Sequence, residues 1–449
     1  MQNHQISSYI VKLTGNCNLG CPYCYYFGGT PRTPGSRLDI NVILKLMNQA
    51  SQRSNFVELI WHGGEPLIAG IDTFEKIIRV QTEISINQGT KFRNLIQTNG
   101  TLLNQQWVNL FLESNFGIGV SLDGPKWIHD MKRPYISGRG SFEQTIRGVQ
   151  LLQDSRNPFS ILAVIDKLSV DHADEIFDFF LDSGFKRFDF LPMVEKEHNS
   201  SSISNNSLSS GDFSMFMKRV FDLWFELDDP DIEVRYLDNV ITGLLGGKPS
   251  TCKFNGSCSE YVSIDHNGTV MPCDNFIGHK ELAFGNLYDN SLGELLDGDI
   301  RKEFREQVSQ RRPECEICDY FSACGGGCNK YSYMWNNSFQ EKNYFCGDRW
   351  EIFSHVSKHI GITIGSLSTY HINTGIPVMI PIHSITVAGS NFIDTGFPTD
   401  CKNQPSFTKK RTITKIMKKV GIRMESTNWS DWDRGYDAWD RGYDAWDKG

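Results

Sequence analysis

Short runs of β-branched and aliphatic residues alternate along the first half of the chain with longer stretches in which apolar positions recur every three or four residues. The first short run is Tyr9-Ile10-Val11-Lys12-Leu13, and others occupy 56–61, 93–97, 117–121, 160–164 and 187–191. Each is short enough for a strand and is bounded by residues that favour turns. Amphipathic patterns such as 40–52 and 72–85 fall between them and predict helices. Six strands alternating with helices predict an α/β fold, a partial (β/α)6 barrel of the TIM type. Its chemistry is expected on the loops at the C-terminal ends of the strands.

Beyond the sixth run the pattern changes. Residues 198–211 are dominated by Ser and Asn and predict a flexible insertion with too little apolar surface to order itself. A helix is predicted over 213–227. Alternation over 261–273 around Asn267-Gly268 predicts a β-hairpin, and a second helix is predicted over 292–308. Residues 363–398 give no clear pattern. Residues 409–423 are strongly basic and space Ile413, Ile416, Met417 and Val420 helically, which predicts a short helix that docks on an acidic groove. A membrane-surface or RNA-binding helix is the alternative. The last stretch repeats Trp-Asp-Arg-Gly-Tyr-Asp-Ala from Trp432 and Trp439 and ends on Trp446-Asp447-Lys448-Gly449. The repeat lacks the aliphatic seam of a coiled coil and is far shorter than a propeller blade. The chain therefore divides into a barrel at 1–230, a cysteine-rich domain at 231–360, a connecting segment at 361–427 and the aromatic repeat at 428–449.

Composition narrows the class. The 449 residues exceed one ordinary domain, and a net charge of −8 argues against a nucleic-acid partner. No apolar run is long enough for a bilayer, and residues 1–8 are short and polar, without the character of an export signal. A cytoplasmic protein with no membrane partner is expected. Its 12 cysteines then read as reduced ligands, not disulfides, with Cys401 as an unligated thiol.

The cysteine spacing carries the chemistry. Cys17, Cys21 and Cys24 stand as CxxxCxxC directly after the first strand. Three thiolates can hold three irons of a [4Fe-4S] cube and leave the fourth open to a small molecule. A zinc knuckle would need a fourth ligand, which Asn18, Tyr23 and Tyr25 do not supply. The second strand ends in His62-Gly63-Gly64-Glu65-Pro66, where glycines permit close backbone approach and a carboxylate could accept from an ammonium group. Gln97-Thr98-Asn99-Gly100 and Ser121-Leu122-Asp123-Gly124-Pro125 end the third and fourth strands. Taken alone, all three are also ordinary turns. Cys252, Cys258, Cys273, Cys315, Cys318, Cys324, Cys328 and Cys346 supply the thiols of two four-cysteine sites, for iron-sulfur clusters or zinc. Gly325-Gly326-Gly327 would let the backbone wrap tightly there.

Together these residues resemble the radical S-adenosylmethionine (SAM) enzymes, and the second cysteine field resembles the SPASM domain of their peptide-modifying members. The spacing is most similar to that of the anaerobic sulfatase-maturating enzymes. The resemblance implies a [4Fe-4S] cluster on Cys17, Cys21 and Cys24 whose open iron chelates SAM, and a 5′-deoxyadenosyl radical as product. It implies that Gly63, Gly64, Glu65 and Pro66 hold the SAM amino group, that Ser121 reaches its carboxylate, that Gln97 and Asn99 lie nearby, and that Tyr26 stacks beside adenine. Two auxiliary [4Fe-4S] clusters are implied, one on Cys252, Cys258, Cys273 and Cys328, the other on Cys315, Cys318, Cys324 and Cys346. Asp274 matches the proposed base that takes a proton from substrate. A peptide or protein substrate and an electron donor such as flavodoxin or ferredoxin are the implied partners.

The tail resembles the core of a ribosomally made, modified peptide, joined to its own maturase. Its triplets Trp432-Asp433-Arg434, Trp439-Asp440-Arg441 and Trp446-Asp447-Lys448 resemble substrates of cyclophane-forming radical SAM/SPASM enzymes, which join an aromatic ring carbon to the β-carbon two residues on. Tyr436 and Tyr443 open further triplets. Residues 1–8 leave no room for a leader-binding domain, so 361–427 is expected to be a linker or to act like a leader. The alternatives are an anaerobic sulfatase maturase that oxidises Cys or Ser of a separate protein to formylglycine, and a non-catalytic iron-sulfur scaffold with an aromatic partner-binding tail.

Overall fold

A computed structural model of the chain describes residues 6–26, 37–196, 202–363, 386–387 and 411–419. The strands are β1 (Ser8–Lys12), β2 (Phe56–His62), β3 (Lys91–Thr98), β4 (Gly117–Ser121), β5 (Phe159–Ile165), β6 (Arg187–Pro192), β7 (Glu233–Val234), β8 (Tyr261–Ile264), β9 (Thr269–Met271) and β10 (Gly285–Asn286). They form one sheet in the order β10-β9-β8-β1-β2-β3-β4-β5-β6-β7, parallel from β8 through β7. All six strands expected from the alternation are present.

Period-two burial explains how each strand sits. In β2 the side chains of Val57, Leu59 and Trp61 are buried under the helix layer, and Phe74 of the helix Ile71–Gln88 meets Trp61 edge-on at 5.8 Å. Burying each such side chain contributes about 1.5–3 kcal/mol. Ile60 and His62 take the opposite face, so the inner side of the sheet carries the polar residues at the strand ends.

The cysteine-rich part does not stand apart from the barrel. Strand β8 pairs in parallel with β1, matching Ser8 to Tyr261 and Val11 to Ile264, and thus continues the same sheet. That pairing brings the hairpin around Asn267-Gly268 beside the start of the chain.

Two other elements differ from expectation. The predicted helix over 292–308 is two helices, Leu292–Asp297 and Asp299–Ser309, broken where Gly298 turns extended. The described part of the serine-rich insertion, residues 202–211, is ordered against the sheet. Leu208 and Ser207 are buried, with Leu208 N–H donating to Met193 O at 3.0 Å and Ser204 N–H to Glu195 O at 2.9 Å. The segment borrows from the residues that follow β6, Met193 to Glu195, the order that its own composition lacks.

The basic helix runs Arg411–Lys419 and buries Ile413, Ile416 and Met417. Thr412 donates from its backbone N–H and its hydroxyl to Asp228 Oδ1 at 3.1 and 3.0 Å, and Lys415 Nζ donates to Pro230 O at 2.8 Å. Those partners precede β7 and so lie at the N-terminal end of the sheet, opposite the loop after β1. Val420, Cys401 and the whole of 428–449 lie outside the described residues. Among the described residues no helix is long and apolar enough to cross a membrane.

Candidate active site

The loop that carries Cys17, Cys21 and Cys24 leaves the C-terminal end of β1 and is fastened to the end of β2. Gly64 N–H donates to Thr14 O and Glu65 N–H to Asn16 O, both at 2.8 Å. These bonds prolong the parallel pairing past the last strand residues, which requires bare glycines. A Cβ on Gly64 would lie 2.0 Å from Asn16 O, and one on Gly63, whose φ is +127°, would lie 2.5 Å from Thr14 O. Pro66 then opens the short helix Pro66–Ala69.

Glu65 is fully buried, and its carboxylate is occupied by the protein itself. It accepts from Leu67 N–H at 3.0 Å, Thr98 Oγ1 at 2.7 Å and Asn99 N–H at 2.8 Å. Burial pushes its pKa up to about 7 despite those donors. The carboxylate expected to meet an ammonium group therefore ties the ends of β2 and β3 together beneath the thiol loop. Asn99 donates to Asn18 Oδ1 at 2.9 Å and places its amide 3.9 Å from the Cys17 sulfur. Gln97 donates to Ser121 Oγ at 2.8 Å across the C-terminal ends of β3 and β4.

Asp123, which reads as a turn residue in the sequence, is instead the centre of a buried charge network. Arg133 reaches it at 2.9 and 3.1 Å, Tyr23 of the thiol loop donates at 2.5 Å, and Lys132 lies 4.0 Å away. Burial raises its pKa, but Arg133 and Lys132 outweigh that and hold the carboxyl well below its ordinary range.

On the other side of the thiol loop the hairpin delivers Asp274. Tyr25 donates to Asp274 Oδ2 at 2.7 Å, Lys12 Nζ donates to Tyr25 at 3.0 Å, and Lys12 and Asp274 are 3.9 Å apart. Burial works against the charge on Asp274, yet Lys12, followed by His62 and the bonds from Tyr25 and Cys273, holds its pKa at about 2. Burial lowers the pKa of Lys12, with Asp274 and Asp265 opposing. Burial, then Lys12, pulls His62 down to about 4. Tyr26 points its hydroxyl at Asp265, 2.7 Å, and His266, 2.5 Å, with Lys12 Nζ 4.5 Å from its ring centre. Tyr26, expected beside adenine, anchors the hairpin to the loop through its hydroxyl.

The remaining thiols gather in two sets. Cys252, Cys258 and Cys273 feel one another's charge, and Cys328 acts on Cys252 and Cys258; burial comes first in raising each of the three thiols. Cys315, Cys318, Cys324 and Cys346 line one pocket with Arg312 and Arg349. Arg349 Nε donates to the Cys324 sulfur at 3.1 Å, and Arg312 donates to Asn329 Oδ1 at 2.8 Å and to Gly326 O. Gly325, Gly326 and Gly327 have φ of +60°, +79° and +80°, and a Cβ on Gly325 would meet Phe254 O at 2.5 Å. This is the close wrapping expected of the triple glycine.

The donor sets fit iron-sulfur clusters. The three thiols of one loop suit a cube with one open iron, and four-thiol sets suit closed cubes. Buried arginines beside the sulfurs offset the anionic charge of a thiolate-bound cluster. Sequence reasoning missed Lys12, Tyr25, Arg133, Arg312 and Arg349. Only Lys12 carried a signal, as a lone cation inside an apolar strand.

The radical SAM superfamily profile matches residues 11–180, and that of the iron-sulfur cluster-binding SPASM domain matches residues 252–324. The chain is 30% identical over 359 residues to a cysteine-type anaerobic sulfatase-maturating enzyme of Clostridium perfringens, covering 78% of this chain and 96% of that one. It is 27% identical over 365 residues to a serine-type anaerobic sulfatase-maturating enzyme of Bacteroides thetaiotaomicron, covering 77% and 87%. The solved structure of native anSMEcpe with bound AdoMet and Cp18Cys peptide is similar with a TM-score of 0.72 and 29% identity, over 78% of this chain and 97% of that one.

Proposed function

This chain belongs to the radical SAM superfamily, in the SPASM-bearing family of the anaerobic sulfatase-maturating enzymes, and from that premise we propose that it crosslinks its own C-terminal aromatic repeat. It is an oxidoreductase of the peptide- and protein-modifying type. Cys17, Cys21 and Cys24 would hold the SAM-binding cluster, Cys252, Cys258, Cys273 and Cys328 one auxiliary cluster, and Cys315, Cys318, Cys324 and Cys346 the other. Gly63, Gly64 and Pro66 shape the SAM-facing loop, Glu65 positions it, and Ser121 and Tyr26 complete the pocket. When bound, these groups supply a 5′-deoxyadenosyl radical that removes a β-hydrogen and an acceptor for the electron released later.

The protein's own part is to place the peptide and take the proton. Joining a ring carbon to the β-carbon of the residue two positions on makes one C–C bond and removes two hydrogens. One leaves as the abstracted β-hydrogen, and the other leaves the ring as a proton and an electron. A ring carbon that has gained a bond and lost an electron is strongly acidic, so a carboxylate of low pKa suffices as base. Asp274, kept ionised by Lys12 and oriented by Tyr25, is that base.

One observation carries the choice of substrate: the helix Arg411–Lys419, which lies just before the repeat, is docked on the enzyme at Asp228 and Pro230. The twelve positions 420–431 set an upper reach of about 40 Å at ~3.4 Å per residue. The eight residues of β3 span only about 26 Å. Trp432 can therefore reach from the docked helix around to the opposite end of the sheet. Tethering of this kind sets a local concentration of roughly millimolar. We place the reaction in the cytoplasm, with flavodoxin or ferredoxin as electron donor.

The likeness to the sulfatase-maturating relatives favours a second reading, oxidation of Cys or Ser in a separate protein to formylglycine. A reaction offering both substrates separates the two. The full chain is incubated anaerobically with SAM, reductant and an equal amount of a Cys-containing sulfatase peptide. Modification of the tail before the peptide supports self-crosslinking; formylglycine alone supports the second reading.

A further inference from the structure

A different set of metal-binding side chains lies away from the thiols, where the helix Asp212–Leu227 packs on the helix Cys346–His359. His355 and His359 stand one turn apart on the second helix, and Asp222 faces them from the first. Each presents a ligand atom, and the three atoms lie within 4.8 Å of one another. His355 Nε2 is 2.6 Å from Asp222 Oδ1. His359 Nδ1 faces the His355 carbonyl at 2.8 Å, so this nitrogen must be the donor and the Nε2 lone pair is left for another partner. The imidazole centres are 4.2 Å apart, and the Phe221 ring meets both edge-on at 5.5 Å.

We propose that Asp222, His355 and His359 form a site for a divalent first-row transition metal, with zinc as the natural occupant. Two imidazole nitrogens and one carboxylate oxygen are a borderline-soft donor set, which suits zinc and disfavours magnesium or calcium. The hydrogen bond from His359 Nδ1 to a backbone carbonyl is the kind of outer contact that fixes ring tautomer and orientation in metal sites. With three protein ligands, water completes the coordination. The site is half-buried, with side-chain exposures of 23% for His355 and 40% for Asp222, so it is open to metal from solution.

The placement gives the site a purpose. The helix Cys346–His359 starts at a thiol of the second auxiliary set and ends at the two histidines, while the helix Asp212–Leu227 belongs to the barrel side of the chain. A metal bridging them fixes the second auxiliary set against the barrel. Magnesium would not replace it, and zinc would act without changing redox state.

The test uses the full-length protein with all three clusters assembled, so that their thiols are already ligated. Zinc is titrated by calorimetry, and zinc, iron and sulfide are measured after gel filtration. The wild type should bind one equivalent that His355→Ala/His359→Ala lacks, at unchanged iron and sulfide. Asp222→Asn should bind at least tenfold more weakly. Zinc should raise the melting temperature of the wild type and not of the double variant, while magnesium moves neither. Equal zinc binding by wild type and double variant would overturn the site, as would a wild type that retains none. Should the double variant assemble poorly, His359→Gln at normal iron content serves in its place, and undiminished affinity there overturns the site equally.

Discussion

Tyr25 and Asp274 are 249 positions apart in the chain, and the Tyr25 hydroxyl donates to the Asp274 carboxylate at 2.7 Å. The contact joins the thiol loop to the hairpin, and Lys12 stands beside both. If Asp274 is the proton acceptor, Asp274→Asn should lower crosslinking about 100-fold or more, the usual scale of general-base loss. Formation of 5′-deoxyadenosine should stay within a few-fold, because that step comes earlier. Tyr25→Phe should cost less, about tenfold. The check is to quantify 5′-deoxyadenosine and modified peptide in the same reaction; parallel loss of both would remove Asp274 from the proton step.

Asp123 neutralises buried Arg133, while Lys132, 4.0 Å from Asp123, is paired more closely with Asp166 at 3.0 Å, so Asp123→Asn would leave Arg133 short of its counter-charge. Loss of one partner from such a buried set costs about 3–5 kcal/mol. The pH dependence has a definite sign. The folded-state pKa lies well below the ordinary 3.8, so the stabilisation is complete above 3.8, starts to decline below it, and is lost only as pH falls through the folded-state value. The gap in melting temperature between wild type and Asp123→Asn should therefore be wide at pH 7, begin to narrow only below pH 3.8, and persist in large part at pH 3.

The thiol sets can be separated by iron counting. Three [4Fe-4S] clusters give about twelve irons per chain, and loss of one cluster removes about four. Cys252→Ala/Cys328→Ala should lose no more iron than either single variant. Cys328→Ala/Cys346→Ala should lose about twice as much. The reverse result would place Cys328 with Cys315, Cys318 and Cys324.

Much of this was legible in the sequence, and the limits have physical causes. Alternation located the six barrel strands because period-two burial leaves a local trace, as in Val57, Leu59 and Trp61. The thiol loop was legible because its three cysteines are near neighbours in the chain. Gly63-Gly64 was legible because paired glycines themselves mark a close backbone approach, although the backbone they admit, at Thr14 and Asn16, is distant in sequence. Glu65 was legible as a carboxylate at the end of the second strand, but the bonds it makes to Thr98 and Asn99 come from the next strand and leave no local mark. The contacts of Asp274 with Lys12 and Tyr25 depend on β8 pairing with β1, a register that nothing near either strand specifies. Residues 202–211 looked disordered because their order comes from contacts with Met193 and Glu195, just past β6. The basic helix was legible through its helical spacing, while its seat at Asp228 was not.

Ile416 lies on the buried face of that docked helix. Ile416→Asp puts a charge where apolar contact holds the segment, and should release it. Amide hydrogen exchange over 412–418 should become fast. Tail modification should fall tenfold or more, and 5′-deoxyadenosine formation should stay within twofold. An unchanged extent of modification in a released variant would show that docking plays no part in delivery.

The most direct measurement is mass spectrometry of the full-length protein, with assembled clusters, after anaerobic incubation with SAM and reductant. The account predicts loss of two hydrogens per event, mapped by fragmentation to the triplets from Trp432 to Arg434, Trp439 to Arg441 and Trp446 to Lys448, and absent after Cys21→Ala. A tail of unchanged mass in a reaction that still forms 5′-deoxyadenosine would contradict it.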